Sequence, residues 1–400
     1  MTLDKVYQAH FVLKEVARKT DLIRAPKMFE GADVYLKTEN LQNTGSFKLR
    51  GAYFKMARLS DEEKKRGVVA CSAGNHAQGV ALAAQKQGID TIICVPEGAP
   101  ISKVEATRSY GAKVELVKGV YDDAYNRAVE IAETTGRVMI HPFNDEDVIA
   151  GQGTIGLEIL EQLPEVEAVI VPVGGGGLIS GLAFTIKTMK PSVKIYGVQS
   201  AGAPSMRDSI EHHRIERLPR VATIADGIAV KEPGELTYNF TNQYVDQVVT
   251  VTDDEVAVAI LELMERQKLV SEGAGAVAVA AAMFGKVDIK DKKTVCLVSG
   301  GNIDVTILSR VINRALMKEG RIADITVELM DKPGQLVEVS SIIAKCGANV
   351  IGCFHDKTGK ETDINGCTLR ISMETRNHEH VREIKKKLLD AGFKFVGEDA

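Results

Sequence analysis

No apolar run in the 400-residue sequence reaches the roughly 20 residues that a membrane-spanning helix needs. Residues 1–5 carry no apolar signal segment, so we expect a cytoplasmic protein with no membrane partner. The net charge of −4 and the isoelectric point near 6.1 lack the basic excess of a nucleic-acid-binding protein, so no nucleic-acid partner is expected. Hydrophobic residues at 44% and charged residues at 26% are ordinary for a globular protein, and the length predicts two or three domains with a sizeable core.

The sequence also lacks closely spaced cysteine pairs: none of its six cysteines forms a CxxC motif. Cys71, Cys94 and Cys296 lie inside apolar runs that resemble strands. Buried, reduced thiols are the simplest interpretation. We therefore expect no metal site, zinc included.

Apolar runs that resemble strands alternate with helical patterns over most of the chain. This order predicts an α/β fold with parallel-rich sheets covered by helices on both faces. One sheet is expected from residues 68–140 and a second from the runs on either side of it. The predicted strands begin at Val34, Val68, Thr91, Lys113, Val138, Ala168, Ile195 and Thr294, and an amphipathic helix is predicted from Val6 to Lys19.

The pattern changes near residue 320, where Glu319-Gly320-Arg321 is typical of a short linker. Beyond it the predicted order is strand, helix, strand, strand, helix, strand, which is the ferredoxin-like βαββαβ arrangement. The predicted domains are 1–320, with a smaller subdomain at about 53–150 inserted in it, and 323–400. The predicted C-terminal elements are Asp324–Met330, Gln335–Lys345, a strand after Asn349, Cys367–Met373, His378–Leu389 and Phe393–Val396.

Lys48 stands between Phe47 and the first turn of a predicted helix, which Thr44 or Ser46 could cap. The positive end of the helix dipole disfavours a charged lysine there and favours a neutral amine. A surface lysine on an amphipathic helix is the simpler alternative.

Two loops of small residues follow predicted strands and precede predicted helices. Ser72-Ala73-Gly74-Asn75-His76 has the geometry of an anion site at a helix start, although a capped helix with Asn75 in a turn is an equal alternative. Gly174-Gly175-Gly176-Gly177 would let the backbone approach a phosphate, and a flexible linker is the weaker interpretation.

Two other glycine-containing stretches carry less information. Residues 151–156 match GxGxxG, but no clear strand precedes them and no acidic residue follows about 20 positions later, so close helix packing is favoured over dinucleotide binding. Ser299 ends the last predicted strand of the larger domain. It is expected to face the crevice where open α/β sheets bind ligands.

A reactive lysine, a phosphate loop, a carboxylate loop and a neutral hydroxyl together resemble the fold type II pyridoxal phosphate enzymes. Within them the chain is similar to the threonine dehydratases, also called threonine ammonia-lyases, over about residues 5–318. Residues 323–400 resemble an ACT domain, a regulatory module that binds amino acids. The motifs that carry the first resemblance are SFKLRGA, SAGNHAQG, GQGTIGLEI, PVGGGGLISG, SEGAGA and SGGN.

The resemblance implies a role for each matching residue. Lys48 would form the Schiff base with pyridoxal 5'-phosphate and act as the base at Cα. Phe47 would lie against the cofactor ring, and Asn75 would bind the ring hydroxyl. The cofactor phosphate would lie on Gly174, Gly175, Gly176 and Gly177, the substrate carboxylate on Ser72, Ala73, Gly74, Asn75 and His76, and the ring nitrogen near Ser299.

The implied reaction is α,β-elimination of L-threonine, and of L-serine, to 2-oxobutanoate or pyruvate and ammonia. A neutral hydroxyl at Ser299 makes the ring a weaker electron sink than a carboxylate would, which favours prompt loss of the β-substituent. A serine racemase or a β-replacement synthase of the same family is the alternative. Racemases carry a second serine where this chain has Ala73, and acidic metal ligands where it has Gln199 and Ser205.

The resemblance also implies regulation through the C-terminal domain. Pro333, Gly334 and Asn349 are the candidate effector-binding residues. Isoleucine or valine is the first candidate effector, because threonine deamination feeds isoleucine biosynthesis in some members of the family, and AMP is a further candidate. A homo-oligomer, dimer or tetramer, is expected. A non-catalytic amino-acid sensor is disfavoured because Lys48 and the other cofactor residues are intact.

Overall fold

Parallel strands flanked by helices form the larger part of the computed structural model, which describes residues 1–357 and 366–396. The chain divides into two units, Met1–Leu308 and Ser309–Ala400. In the first unit the strands are β1 (Leu22–Arg24), β2 (Asp33–Thr38), β3 (Val68–Cys71), β4 (Thr91–Pro96), β5 (Lys113–Val117), β6 (Val138–Met139), β7 (Ala168–Pro172), β8 (Lys194–Ser200), β9 (Gln247–Val251) and β10 (Lys293–Val298). The helices up to the unit boundary are α1 (Leu3–Leu13), α2 (Lys48–Ala57), α3 (Asp61–Arg66), α4 (Asn75–Gln87), α5 (Ile101–Ser109), α6 (Tyr121–Thr135), α7 (Glu146–Gln162), α8 (Gly177–Met189), α9 (Ser205–Glu211), α10 (Glu235–Tyr244), α11 (Asp253–Glu262), α12 (Gly273–Met283) and α13 (Val305–Lys318).

Two separate sheets organise the first unit, and this confirms the predicted parallel-rich α/β fold. The larger sheet has the order β1-β2-β10-β7-β8-β9, in which only β1 runs antiparallel to its neighbour. The smaller sheet, β5-β4-β3-β6, is parallel throughout and is built from the predicted segment 68–140. Because β2 to β10 all pair in parallel within their sheets, the carboxyl ends of these strands can converge on a shared crevice.

The N-terminal helix differs from the prediction. It begins at Leu3, because the hydroxyl of Thr2 accepts a hydrogen bond from the N–H of Lys5, and it ends at Leu13 rather than at Lys19. A tight turn follows, in which the N–H groups of Val16 and Ala17 both donate to the carbonyl of Leu13. The apolar periodicity continued through this turn, so periodicity alone could not reveal the end of the helix.

The glycines of the GxGxxG match lie inside α7 and serve helix packing, as predicted. A Cβ on Gly151 would stand 2.7 Å from the carbonyl oxygen of Arg50, and one on Gly153 would stand 2.8 Å from Oγ1 of Thr185. These close approaches bring α7 against α2 and α8. They help to fix the position of α2, whose first residue is Lys48.

A buried cluster of charged side chains also holds α2 in place. The guanidinium of Arg50 contacts Glu39 at 2.8 Å and Glu158 at 2.6 Å, and Lys37 contacts Glu158 at 2.6 Å. All four side chains are at most 4% exposed. Buried charges of this kind are tolerated because each has an oppositely charged, hydrogen-bonded partner.

The second unit has the predicted βαββαβ order. After the end of α13 it contains β11 (Ile322–Met330), α14 (Gln335–Lys345), β12 (Asn349–Asp356), β13 (Gly366–Glu374), α15 (His378–Asp390) and β14 (Lys394–Phe395). Its antiparallel sheet has the order β12-β13-β11-β14. Residues 358–365 and 397–400 of the predicted domain 323–400 lie outside the described residues. Among the described helices of both units, none is long and apolar enough to cross a membrane.

Candidate active site

A cavity of about 750 Å³ lies where strands β3, β7 and β10 end in the first unit. Its wall contains Lys48, the two glycine-containing loops, and Ser299 at the end of β10. This is the position at which parallel sheets bind ligands. The predicted residues in its wall are Phe47, Lys48, Ser72, Ala73, Gly74, Asn75, His76, Gly174, Gly175, Gly176, Gly177 and Ser299.

The segment before Lys48 is attached to the end of β10. The N–H of Phe47 donates to the carbonyl of Ser299 at 3.2 Å, and Ser46 pairs with Gly300. Neither Thr44 nor Ser46 caps α2, contrary to expectation: the helix begins directly after Phe47, which offers no capping side chain. The Thr44 hydroxyl instead donates to the carbonyl of Ser46. The cap prediction failed because this segment is held by β10 rather than by its own side chains.

The amine of Lys48 is surrounded by few groups that could stabilise its charge. Nζ donates to the carbonyl of Pro142 at 2.8 Å and lies 5.3 Å from the centre of the Phe47 ring. Burial lowers the pKa of Lys48 to about 8, although the charge of Glu272 opposes this change. At pH 7 about one molecule in ten would then carry a neutral amine, against roughly one in 2,500 for an ordinary lysine.

Asn75 is held from both sides at the start of α4. Its Nδ2 donates to Oε1 of Glu272 at 2.5 Å, and its Oδ1 accepts from Nδ2 of Asn302 at 2.8 Å. An amide nitrogen carries two protons, so Asn75 retains one donor for a ligand. These contacts fix the orientation of the amide.

Glu272 is one of the cavity residues that sequence reasoning missed. It directly precedes α12 within the motif SEGAGA, which was noted without a role for its carboxylate. Burial and the charge of Asp226 raise the pKa of Glu272 to about 7, while Asn75 and Lys103 act in the opposite direction. The available signal was a single acidic residue among small residues directly before a helix. The sequence did not show that this acidic side chain would be buried.

The glycine loop joins β7 to α8 and packs tightly against neighbouring side chains. A Cβ on Gly175 would stand 2.4 Å from the Phe143 ring, and Gly176 has a φ of +94°. The Thr237 hydroxyl donates to the carbonyl of Gly175 at 2.5 Å. Because the first N–H groups of a helix have no partner within it, the start of α8 can bind a phosphate.

The loop after β3 contains the Ser72 hydroxyl, whose oxygen accepts from the N–H of Gly74 at 3.1 Å, and the ring of His76. Nε2 of His76 lies 2.8 Å from the carbonyl of Ile140 and must carry the ring proton, while Nδ1 has no partner among the described residues. Burial and the charge of Lys48 lower the pKa of His76 to about 3, so the ring stays neutral. A substrate carboxylate could therefore use the Ser72 hydroxyl and the backbone N–H groups of the loop, but not this ring.

Ser299 is buried, and its hydroxyl donates to the carbonyl of Ala274 at 3.3 Å. It offers the cavity a neutral oxygen rather than a charge. The half-buried amine, the glycine loop at a helix start and the oriented amide suit an aldehyde cofactor that carries a phosphate and a ring hydroxyl. The residues present therefore fit pyridoxal phosphate.

The candidate effector residues lie in the second unit. Gly334 has a φ of +98° and directly precedes α14, and Asn349 begins β12. Nδ2 of Asn349 donates to Oε2 of Glu374 at 2.9 Å on the neighbouring strand. Pro333 and Gly334 are exposed.

Comparison with known proteins agrees with this geometry. Residues 13–301 match the family of pyridoxal-phosphate dependent enzymes. An L-threonine ammonia-lyase of Thermotoga maritima is 52% identical over 395 residues, which cover 98% of both chains. The catabolic L-threonine dehydratase TdcB of Escherichia coli K12 is 46% identical over 315 residues, which cover 78% of this chain and 96% of that protein. The processed threonine deaminase isoform 2 of Solanum lycopersicum superposes with a TM-score of 0.75 at 40% identity, over 79% of this chain and 90% of that one. The chain belongs to the fold type II family of pyridoxal-phosphate dependent enzymes.

Proposed function

We propose that this protein is a threonine ammonia-lyase that eliminates water from L-threonine, and from L-serine, to give ammonia and the corresponding 2-oxo acid. The observation that carries this proposal is the lowered pKa of Lys48 in a cavity shared with the glycine loop. Relatives named as threonine ammonia-lyases or dehydratases match most of the chain and support the same reaction.

Pyridoxal phosphate, when bound, supplies the electron sink that makes the Cα proton of an amino acid acidic. Lys48 holds the cofactor, and its Nζ accepts the proton from Cα. The N–H groups at Gly174 to Gly177 bind the phosphate, and Phe47 borders the ring. The second proton of the Asn75 amide would be available to the ring hydroxyl, because Glu272 and Asn302 occupy its other groups.

Substrate binding falls to the loop after β3. The Ser72 hydroxyl and the N–H groups of Ala73 to His76 receive the substrate carboxylate at the start of α4. Ser299 would be the neutral partner of the ring nitrogen. Glu272 is a positioning residue, since it orients Asn75 and its charge acts on the pKa of Lys48.

The test of the catalytic assignment is Lys48→Ala. We expect the variant to lose both the visible absorption of lysine-bound cofactor and the formation of 2-oxobutanoate from threonine. Lys65→Ala, which removes an exposed lysine of α3, serves as the matched control and should retain both. Near-normal turnover in Lys48→Ala would refute the assignment. Formation of D-serine from L-serine as fast as pyruvate would instead favour the racemase alternative.

We further propose that the second unit is an ACT domain that regulates the enzyme. Its βαββαβ order supports this. Isoleucine or valine is the expected effector, at the turn before α14 and the start of β12, through Pro333, Gly334 and Asn349.

A second copy of the chain is the expected partner of this domain. The edge strand β12 exposes Ile351 and Phe354, which are 50% and 65% accessible. Pairing of two such edges would cover these side chains and create a shared effector pocket. An effector that contacts only one arrangement of the pair could change substrate affinity roughly 5- to 150-fold.

Truncation after Gly320 tests the regulatory proposal. The shortened enzyme should still deaminate threonine but should not respond to isoleucine or valine, whereas the full chain should respond. AMP is included as a second effector in the same assay. An amino-acid response that survives truncation would place the effector site in residues 1–320.

A further inference from the structure

Three side chains with metal-binding atoms meet at one end of the sheet in the second unit. They are Asp331, His355 and Cys367, and we call them the Asp–His–Cys cluster. The carboxylate, imidazole and thiol atoms all lie within 4.8 Å of one another. Nε2 of His355 and Sγ of Cys367 are only 2.8 Å apart.

Strand register explains why these three residues converge. His355 on β12 stands opposite Leu369 on β13, two residues beyond Cys367, so His355 and Cys367 point to the same face of the sheet. Cys367 stands opposite Leu329 on β11, and Asp331 follows Leu329 by two residues. All three side chains therefore reach the same side of the sheet from three different segments.

We propose that the Asp–His–Cys cluster binds a divalent cation of the zinc class, with a water molecule as the fourth ligand. A thiolate, an imidazole and a carboxylate are ligands that Zn²⁺ takes in tetrahedral sites. On binding, the thiol of Cys367 gives its proton to solvent, and its sulfur forms the bond to the metal. The ion would tie the turn at Asp331 to β12 and β13. This proposal does not depend on the catalytic function proposed above.

A lysine also contacts the Asp–His–Cys cluster. Nζ of Lys357 lies 2.8 Å from Oδ2 of Asp331 and must leave this carboxylate when the metal binds. The thiol of Cys367 also donates weakly to the carbonyl of Leu329 at 3.6 Å. Removal of the lysine should therefore tighten metal binding.

The test uses the full-length, cofactor-loaded protein after treatment with a chelator. Zn²⁺ is titrated in competition with a chromophoric chelator, and Co²⁺ is used to detect thiolate-to-metal charge transfer in difference spectra. We expect one ion per chain and a thiolate band. Cys367→Ser and His355→Gln should each weaken binding at least about tenfold, since even loss of a supporting partner costs that much.

Two further variants complete the design. Cys353→Ser removes an exposed thiol from the same strand as His355 and should leave binding unchanged, whereas Lys357→Gln should strengthen it. The exposed His355 and Lys357 keep the test decisive if Cys367→Ser fails to fold. Absence of a thiolate band, or equal affinity in wild type and His355→Gln, would overturn the proposal.

Discussion

The proton affinity of Lys48 is the property of this structure that can be tested most directly. A pKa of about 8 makes the neutral amine about 200-fold more abundant at pH 7 than in an ordinary lysine with a pKa of about 10.4. The cause is burial, which penalises the ammonium form and lowers the pKa. The negative charge of Glu272 favours the ammonium form and partly offsets this decrease. Two measurements can separate these influences, one on the wild type and one on Glu272→Gln.

The assay is competitive acetylation of cofactor-free protein with acetic anhydride across pH 6–11, with the extent of modification at each lysine read by mass spectrometry. Only neutral amines react, so the midpoint of labelling reports the pKa of Lys48. We expect this midpoint near pH 8. The exposed Lys194, whose pKa is raised by its hydrogen bond to Asp246, provides an internal reference at higher pH.

Glu272→Gln should lower the pKa of Lys48 further. Glutamine keeps an oxygen that can accept from Asn75 but removes the negative charge that favours the ammonium form. The pKa of Glu272 is about 7, so its carboxyl is mostly protonated at pH 6 and mostly charged at pH 8. The difference between variant and wild type should therefore be small at pH 6 and grow as the pH rises through 7.

The control is Glu62→Gln, which changes an exposed carboxylate on α3 and should not move the midpoint of Lys48. A wild-type midpoint above pH 10 would refute the argument from burial. A midpoint that rises in Glu272→Gln would refute the electrostatic role given to Glu272.

Ala73→Ser should raise racemisation of serine relative to elimination, because a hydroxyl could return a proton to Cα from the face opposite Lys48. Chiral chromatography together with a pyruvate assay would measure the ratio of the two reactions. An unchanged ratio would contradict the reasoning. Gly175→Ala should weaken cofactor binding roughly 5- to 150-fold, since displacing the Phe143 ring costs about 1–3 kcal/mol. Its control is Gly98→Ala, where an added methyl meets nothing within 4 Å; equal cofactor titrations of the two variants would argue against the steric account. Arg50→Met should lower the free energy of unfolding by about 3–5 kcal/mol, because it leaves buried carboxylates without their partner, and a denaturant-measured loss below about 1 kcal/mol would count against that role.

The sequence by itself predicted eight of the ten strands in the two sheets and most of the candidate site. Apolar runs separated by helices predict buried parallel strands, and the residues directly after those strands are placed at the crevice by chain connectivity alone. The loop from Ser72 to His76, the glycines from Gly174 to Gly177 and Ser299 were identified in this way. Lys48 was identified instead from its place at the start of a predicted helix and from the family resemblance. The βαββαβ order of the second unit followed from the same local signals.

Local signals were weaker where long-range contacts set the boundaries. The start of α2 depends on pairing of Ser46 and Phe47 with the end of β10, which lies far away in sequence. The three-residue strand β1 was missed because its register is set by β2 and not by any pattern of its own.

Only the tertiary structure decided the protonation states and partners of the site. Asn75 and Glu272 are separated by 197 positions, yet their contact at 2.5 Å orients the amide. Burial acts on Lys48, Glu272 and His76 in different ways, because it penalises whichever form carries charge, and neighbouring charges then modify the result. A sequence specifies which groups can ionise, but their pKa values depend on the solvent they lose and on the charges that folding brings near them.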